Sequence, residues 1–471
     1  MNRPNTKKKV SMILSTLLIC LSLSGCQYSS VDEYLELLGM KEASYEEELT
    51  PDKVEISQFP EEIPHMSSEE SSKETSSATK EEAQTLPEEK ADDEVYEASY
   101  HQLTESELND EMNAARAAIG LTSDNIDRLK KEQEGNYAFD RLTESGKTLY
   151  VEILSIIENQ AENVLVSSTN EEAIDLVYDY VTIDHPELFY IDGYKYTNYT
   201  VDDVVTKVGF SGNYLYSKDE IEERQTKINN AVNACLAGAP SSTDDYFAIK
   251  YVYEYIIKNT EYDVEAEDNQ NICSVFINGS SVCNGYAKAA QYLLNKMGIK
   301  CTLVIGTVNT KSAKNERHAW NIVQCNDAFY YFDVTWGDSS YQVGYGGSAD
   351  STRIPEVNYD YLNVTTAELC KNHTISDIIK MPDCSSLKDN YYVREDEYFT
   401  TAELSLIAEL FDRRYQDGSD CVVIKCADDS IYEALFEELI TNRKVFSYLR
   451  AQTASVAYTT YEDTNTIIFW I

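Results

Sequence analysis

The chain has 471 residues, more than one compact domain needs, and 42% of them are hydrophobic, so it can bury a core and is not globally disordered. Its formal charge is −43: residues 1–30 carry four basic side chains and no acidic ones, 31–100 hold 22 Asp/Glu against 5 Lys/Arg, and the remainder carries −30. A body of that sign repels a phosphate backbone and has no basic patch or RNA-reading motif, which excludes nucleic acid as a partner.

In chain order, Lys7-Lys8-Lys9 precede an apolar stretch from Val10 to Leu23. That stretch is too short to span a bilayer and suits the apolar core of an export signal. It ends in Leu23-Ser24-Gly25-Cys26, which resembles the lipobox of bacterial lipoproteins. The resemblance implies that 1–26 is a lipoprotein signal, that Cys26 is lipidated, and that the protein is exported and anchored to the cell membrane facing outside. Residues 27–100, rich in Glu, Ser, Lys and Thr, read as an acidic disordered tether.

From 101 the patterns become globular. Helices are predicted over 105–117, 141–160 and 169–183, the last stopped by Pro186. Strands follow over 187–198 and 203–210, then a charged helix over 217–236, giving a small α+β domain over 101–238. Gly238 to Ser242 marks a boundary, after which Ser242 or Thr243 is placed to cap a helix running to about 259. Residues 239–385 hold the chemistry. The end of the chain, 386–471, reads helix 401–415, strand 419–426, helix 429–446, strand 453–461 and strand 465–471, a small α/β module. Trp470 is expected in its core.

The chain has 11 cysteines. Cys20 would leave with the signal and Cys26 would carry lipid. Export permits disulfides among the others, but spacing does not give their connectivity. Cys301 and Cys325 lie in strand-like runs, where a buried thiol fits as well as a bridge. No CxxC or His-rich spacing points to zinc, and no Asp-x-Asp-x-Asp-Gly loop points to calcium. No cofactor is expected, and nothing in the sequence fixes an oligomeric state.

Two segments carry reactive groups. In Ser281-Val282-Cys283-Asn284-Gly285-Tyr286-Ala287, apolar residues continue at Ala290, Leu294 and Met297, one buried helical face, and Gly298 stops it. Cys283 then sits at a helix N-terminus, where unpaired N–H groups and the dipole favour a thiolate, the reactive form. The second segment reads as a hairpin: His318 to Val323, a turn over Cys325–Ala328, and a strand from Phe329 to Trp336. With an even loop, His318 and Asp333 share a face, directly opposite or one diagonal step apart. A polar His and Asp on otherwise apolar strands are costly to bury unless they pair. Together a thiolate nucleophile, an imidazole that accepts and returns a proton, and a carboxylate that orients it perform acyl transfer.

The segment from Asn278 to Asp338 resembles the transglutaminase-like superfamily of papain-like cysteine enzymes. The match lies in Cys283-Asn284-Gly285-Tyr286-Ala287, His318-Ala319-Trp320-Asn321 and Asp333-Val334-Thr335-Trp336, in the family's order. The resemblance implies an α+β fold: a helix carrying Cys packed on an antiparallel sheet carrying His and Asp, flanked by small α+β domains. It implies Cys283 as nucleophile, His318 as general base and acid, and Asp333 as orienter. Tyr286, Trp320 and Trp336 are expected to support the site or contact substrate, and the main-chain N–H of Cys283 is the candidate oxyanion donor. His373 lies outside the three motifs and is expected to be structural. The expected activity is amide hydrolysis on a peptide or protein substrate through a thioester on Cys283. Amine transfer to protein glutamine, or a non-catalytic surface binding protein on the same scaffold, are the alternatives.

Overall fold

The computed structural model describes residues 110–201, 204–310, 314–342, 353–450 and 455–471. The expected signal, Cys26 and the tether lie outside the described residues. Among the described residues no helix is long and apolar enough to cross a membrane.

The first unit begins with α1 (Asp110–Ala118), α2 (Ser123–Gln133) and α3 (Glu144–Glu158). Helix α2 is absent from the elements predicted above: it buries no residue fully, and its apolar stripe is only Ile126 and Leu129, half-buried against the core. Helix α3 is capped by Thr143, whose side chain accepts from the Gly146 N–H. After β1 (Val164–Val166), α4 (Glu171–Asp184) ends just ahead of Pro186, as predicted. Its last residue is buried: the Asp184 carboxylate accepts from the N–H groups of Ala138 and Phe139 and from the Tyr150 hydroxyl. Strands β2 (Ile191–Val201) and β3 (Val204–Tyr214) complete an antiparallel sheet in the order β1-β3-β2.

Helix α5 (Lys218–Gly238) begins at a Ser217/Glu220 capping box. Its buried face, Ile228, Val232 and Cys235, joins the core built by the residues that follow it. The expected boundary at 238 therefore does not divide the packing. The reverse also holds, since Cys283, Ala287, Leu303 and Ala319 belong to the core of the first unit.

In the second unit α6 (Asp245–Asn259) is capped by Asp244 instead of Ser242 or Thr243. The short parallel pair β4 (Glu261–Tyr262) and β5 (Ser280–Ser281) leads directly into α7 (Cys283–Lys296). Gly298, at φ +81°, takes the left-handed conformation that ends this helix. An antiparallel sheet follows in the order β8-β7-β6-β9, with β6 at Cys301–Val308, β7 at Glu316–Cys325, β8 at Ala328–Phe332 and β9 at His373–Ile375.

Strands β7 and β8 are joined by Asn326-Asp327, a two-residue loop with Asn326 at φ +51°. The even loop required for His318 and Asp333 to share a face is present. The expected second strand nevertheless stops at Phe332, and residues 334–337 turn instead. Asp333 N–H is taken by Tyr361 O and Gly337 N–H returns to Asp333 O, so no strand partner is left for the 333–336 stretch.

Helix α7 covers the face of β7 that carries Ala319, Asn321 and Val323. The Asn321 amide donates to Ala287 O at 3.0 Å, and Val323 packs with Ala290, Leu293 and Leu294. The other face buries Trp320 and Ile322 against Tyr331, Val364 and Leu369. The helix-on-antiparallel-sheet core predicted from the motifs is the one observed.

The third unit contains β10 (Tyr398–Phe399), α8 (Leu404–Asp417), β11 (Cys421–Cys426), α9 (Asp429–Phe436), β12 (Ala457–Tyr461) and β13 (Thr466–Trp470), with sheet order β10-β11-β13-β12. Helix α9 gives way after Phe436 to a wider turn over Glu437–Thr441, so the expected helix to 446 is interrupted. Strand β10, two residues long and parallel to β11, left no periodic signal. Trp470 is buried, and its indole N–H donates to Thr459 at 3.0 Å.

Candidate active site

Cys283 is the first residue of α7, preceded by Val282 in an extended conformation with no side-chain cap. Val282 thus supplies no side-chain cap to the N–H groups of this first turn. The glycine of the motif has a packing cause. A Cβ on Gly285 would come within 2.0 Å of Ser281 Oγ and 2.9 Å of Asn269 O, so only glycine lets the 269–281 segment lie against the helix start. Cys283 is fully buried, in one cluster with Ala287, Leu303 and Ala319, the neighbour of His318.

His318 Nε2 lies 2.6 Å from Asp333 Oδ2, and both side chains are buried. Continuing the hairpin register by one pair would set Asp333 against Trp320, one diagonal step from His318. The other oxygen, Oδ1, accepts from the Trp336 N–H at 3.1 Å. Burial works against the Asp333 charge, but the two imidazoles bonded to it outweigh burial and hold the carboxyl well below its usual range.

The second of those imidazoles is His373. Its Nε2 lies 3.0 Å from the same Asp333 Oδ2, on β9, forty residues further along the chain. Strand β9 reaches Asp333 because it pairs with β6, Val308 opposite His373 and Gly306 opposite Ile375. A Cβ at Gly306 would meet Thr374 O at 2.0 Å and the Trp320 ring at 2.6 Å. Gly306 is therefore what allows β9 and Trp320 to close in. An isolated glycine inside an apolar strand run signals such an approach, and it was the one sequence cue to a neighbour here. His373 alone carries no pattern.

The remaining expected residues divide. Trp320 stacks on His318 with ring centroids 5.9 Å apart, and Trp336 lies 6.3 Å from His318 and 4.8 Å from His373. Both indoles wall the imidazoles. Tyr286 points into the core, its hydroxyl 3.0 Å from Thr260 O and 2.5 Å from Asp338 Oδ2. It anchors α7 to the turn after Asp333.

The metal-ligating atoms of His318, Asp333 and His373 all lie within 4.8 Å of one another. The distances of 2.6 and 3.0 Å are those of hydrogen bonds, and a cation would have to take the nitrogens that carry the bonding protons. The nine described cysteines form no disulfide. Burial pushes the thiols of Cys235, Cys273 and Cys426 up, to about 11, 12 and 12, which leaves them unreactive at neutral pH.

Helix α7 begins at Cys283 and packs on the hairpin that carries the bonded His318–Asp333 pair. Residues 235–334 match the family model described as "Transglutaminase-like superfamily", and the chain carries a transglutaminase-like domain there. No curated protein matches the chain. Among solved structures it is similar to a TGase (14% identity, 36% of this chain and 47% of that one, TM-score 0.23). It is also similar to a candidate cysteine protease from Cytophaga hutchinsonii (11%, 30% and 61%, TM-score 0.21). A third is a candidate protease from Parabacteroides distasonis (10%, 31% and 37%, TM-score 0.19). The chain spans less than two thirds of each of these, and superpositions so partial carry no argument about activity.

Proposed function

We propose that this protein is a surface-anchored cysteine hydrolase that cleaves amide bonds through a thioester on Cys283. The observation that carries the reading is the buried 2.6 Å contact between His318 and Asp333 on the hairpin against which the Cys283 helix packs. In the first half-reaction the Cys283 sulfur bonds to the amide carbon. His318 takes the thiol proton and delivers it to the departing nitrogen as the C–N bond breaks. In the second, His318 takes a proton from water, the new C–O bond forms, and the S–C bond breaks to return the thiol and a carboxylic acid. Asp333 keeps the imidazole oriented and steadies its charged form. Water is the acyl acceptor that needs least room, which suits a nucleophile and base that are both buried.

Mass spectrometry of a peptide mixture, incubated with and without a primary amine, tests this. New peptide ends or deamidated glutamine are expected from the wild type and neither from Cys283→Ala. Amine-linked products in place of cleavage would make it a transferase, and no product with either protein would remove the enzyme reading.

Anchoring through Cys26 is part of the proposal, supported by the Lys7–Lys9 cluster, the apolar run and the Leu23–Cys26 tetrapeptide. The wild type is expected in the membrane pellet, and Cys26→Ala in the soluble fraction. A Cys26→Ala protein that still sediments with membranes would rule out the lipid anchor.

A further inference from the structure

His318 and His373 approach the same oxygen of Asp333, from β7 and from β9. A general base needs only one orienting carboxylate, so the second imidazole calls for its own account. His373 is held as firmly as His318. It is buried, its Nδ1 lies 2.6 Å from Asn372 Oδ1, and the Asn372 amide donates to the Tyr361 hydroxyl at 2.7 Å. Its ring meets Trp320 edge-on at 5.0 Å and Trp336 at 4.8 Å. Tyr361 is the residue whose carbonyl takes the Asp333 N–H, so the chain closes on itself: Asp333, His373, Asn372, Tyr361 and back to Asp333.

We infer that His373 is a positioning residue of the acyl-transfer site, acting through Asp333 on His318; the inference rests on the catalytic reading proposed above. A neutral His373 has one N–H and both its nitrogens face oxygens, so the Asn372 contact becomes a second hydrogen bond only when the ring is charged. The ionised carboxylate is the stronger acceptor, so Nε2 donates to Asp333 Oδ2. That bond does two things. It fixes Oδ2 where His318 Nε2 meets it, and it draws off part of the negative charge that would otherwise act on His318 alone. With Asp333 undivided, His318 would hold its proton more tightly and be a scarcer base at neutral pH. The other titratable groups facing this cluster include Tyr341, stacked on the His318 ring with centroids 6.5 Å apart, Tyr253 of α6, whose hydroxyl reaches Asp333 O at 3.3 Å, Tyr361, and Asp360, whose carboxylate is matched by Lys425. None of them bonds Asp333 Oδ2 among the described contacts.

The test uses the full folded chain and p-nitrophenyl acetate. Attack by Cys283 releases p-nitrophenolate as the S–C bond forms and the C–O bond breaks. Water then removes the acetyl group as acetate, a step that needs His318 unprotonated. The acid limb of this deacylation reports how tightly His318 holds its proton. In His373→Leu, which lacks the donor, the limb is expected to move up by about one pH unit, so that deacylation below the wild-type limb slows about tenfold. In His373→Gln, which keeps an N–H donor, the limb is expected near the wild-type position. A merely structural role would scale the rate equally at every pH. An unmoved limb in His373→Leu overturns the inference. If that variant does not fold, Asn372→Leu, which removes only the support behind His373, is expected to shift the limb the same way by a smaller step, and no shift there overturns it equally. A wild type that gives no Cys283-dependent burst would instead overturn the catalytic reading.

Discussion

Asp333→Asn is expected to slow acyl transfer by a factor on the order of 10³–10⁴, the cost of an imidazole held in the wrong tautomer. An asparagine orients histidine well in some cysteine enzymes, but the contacts of Asp333 forbid it here. Oδ1 accepts from the Trp336 N–H and Oδ2 accepts from two imidazoles. An amide has one oxygen. If that oxygen serves the imidazoles, its NH₂ faces the Trp336 N–H, donor against donor. If it serves Trp336, the NH₂ faces His318 and demands an unprotonated Nε2. His318 then carries its proton on the other nitrogen and cannot accept one there.

Burst kinetics with p-nitrophenyl acetate measure the loss, and a variant within about threefold of wild type would show that Asp333 does not orient His318. The same carboxyl also ties stability to pH. Its pKa in the folded state lies below its value in the unfolded chain, so its contribution is fully present above about pH 4. That contribution is lost as the pH falls towards the folded value. Wild type should therefore lose stability on acidification more steeply than a variant without this carboxyl.

Lys425→Met is expected to destabilise the protein by about 3–5 kcal/mol. Lys425 on β11 is buried, with Nζ 3.1 Å from Asp360 Oδ1 and 2.6 Å from Thr464 O. Asp360 is buried too and accepts from the hydroxyls of Thr464 and Thr466, each at 2.6 Å. Three of these four residues belong to the last unit, while Asp360 neighbours Tyr361, whose carbonyl holds the Asp333 N–H. The pair is thus the bolt between the C-terminal unit and the backing of the candidate site.

Removing the ammonium leaves a carboxylate buried without its countercharge, which costs far more than the pair contributes. Removing both charges, as Lys425→Met with Asp360→Asn, should recover a large part of the loss, because a neutral amide can still bond the threonines. Urea denaturation followed by tryptophan fluorescence measures both. A loss below about 1 kcal/mol in Lys425→Met would mean that water reaches the pair and that the two units are not bolted there.

Much of the candidate site is legible in local chemistry. The helix from Cys283 follows from apolar spacing and the Gly298 stop, and both are found. The shared face of His318 and Asp333 follows from a two-residue loop and the period of a strand. Where the chain departs from its local pattern, a distant partner is the cause. The run Asp333–Trp336 has strand composition, yet it turns because Tyr361, 28 positions on, takes the Asp333 N–H. Helix α5 reads as the end of the first unit, yet its apolar face is buried by the second, since spacing tells that a face is apolar and not what will cover it.

By itself the sequence determined the candidate groups and the local elements that carry them: Cys283 on a helix start, and His318 and Asp333 on one hairpin. Only the tertiary structure decided that Asp333 serves two imidazoles. His373 sits on a three-residue strand too short to have a period, and it reaches Asp333 by pairing with β6. That pairing depends on the missing side chain of Gly306, through which Thr374 and Trp320 close in. An isolated glycine in an apolar run tells that something approaches the strand but not which residue, so the fourth member of the cluster could be found only in space.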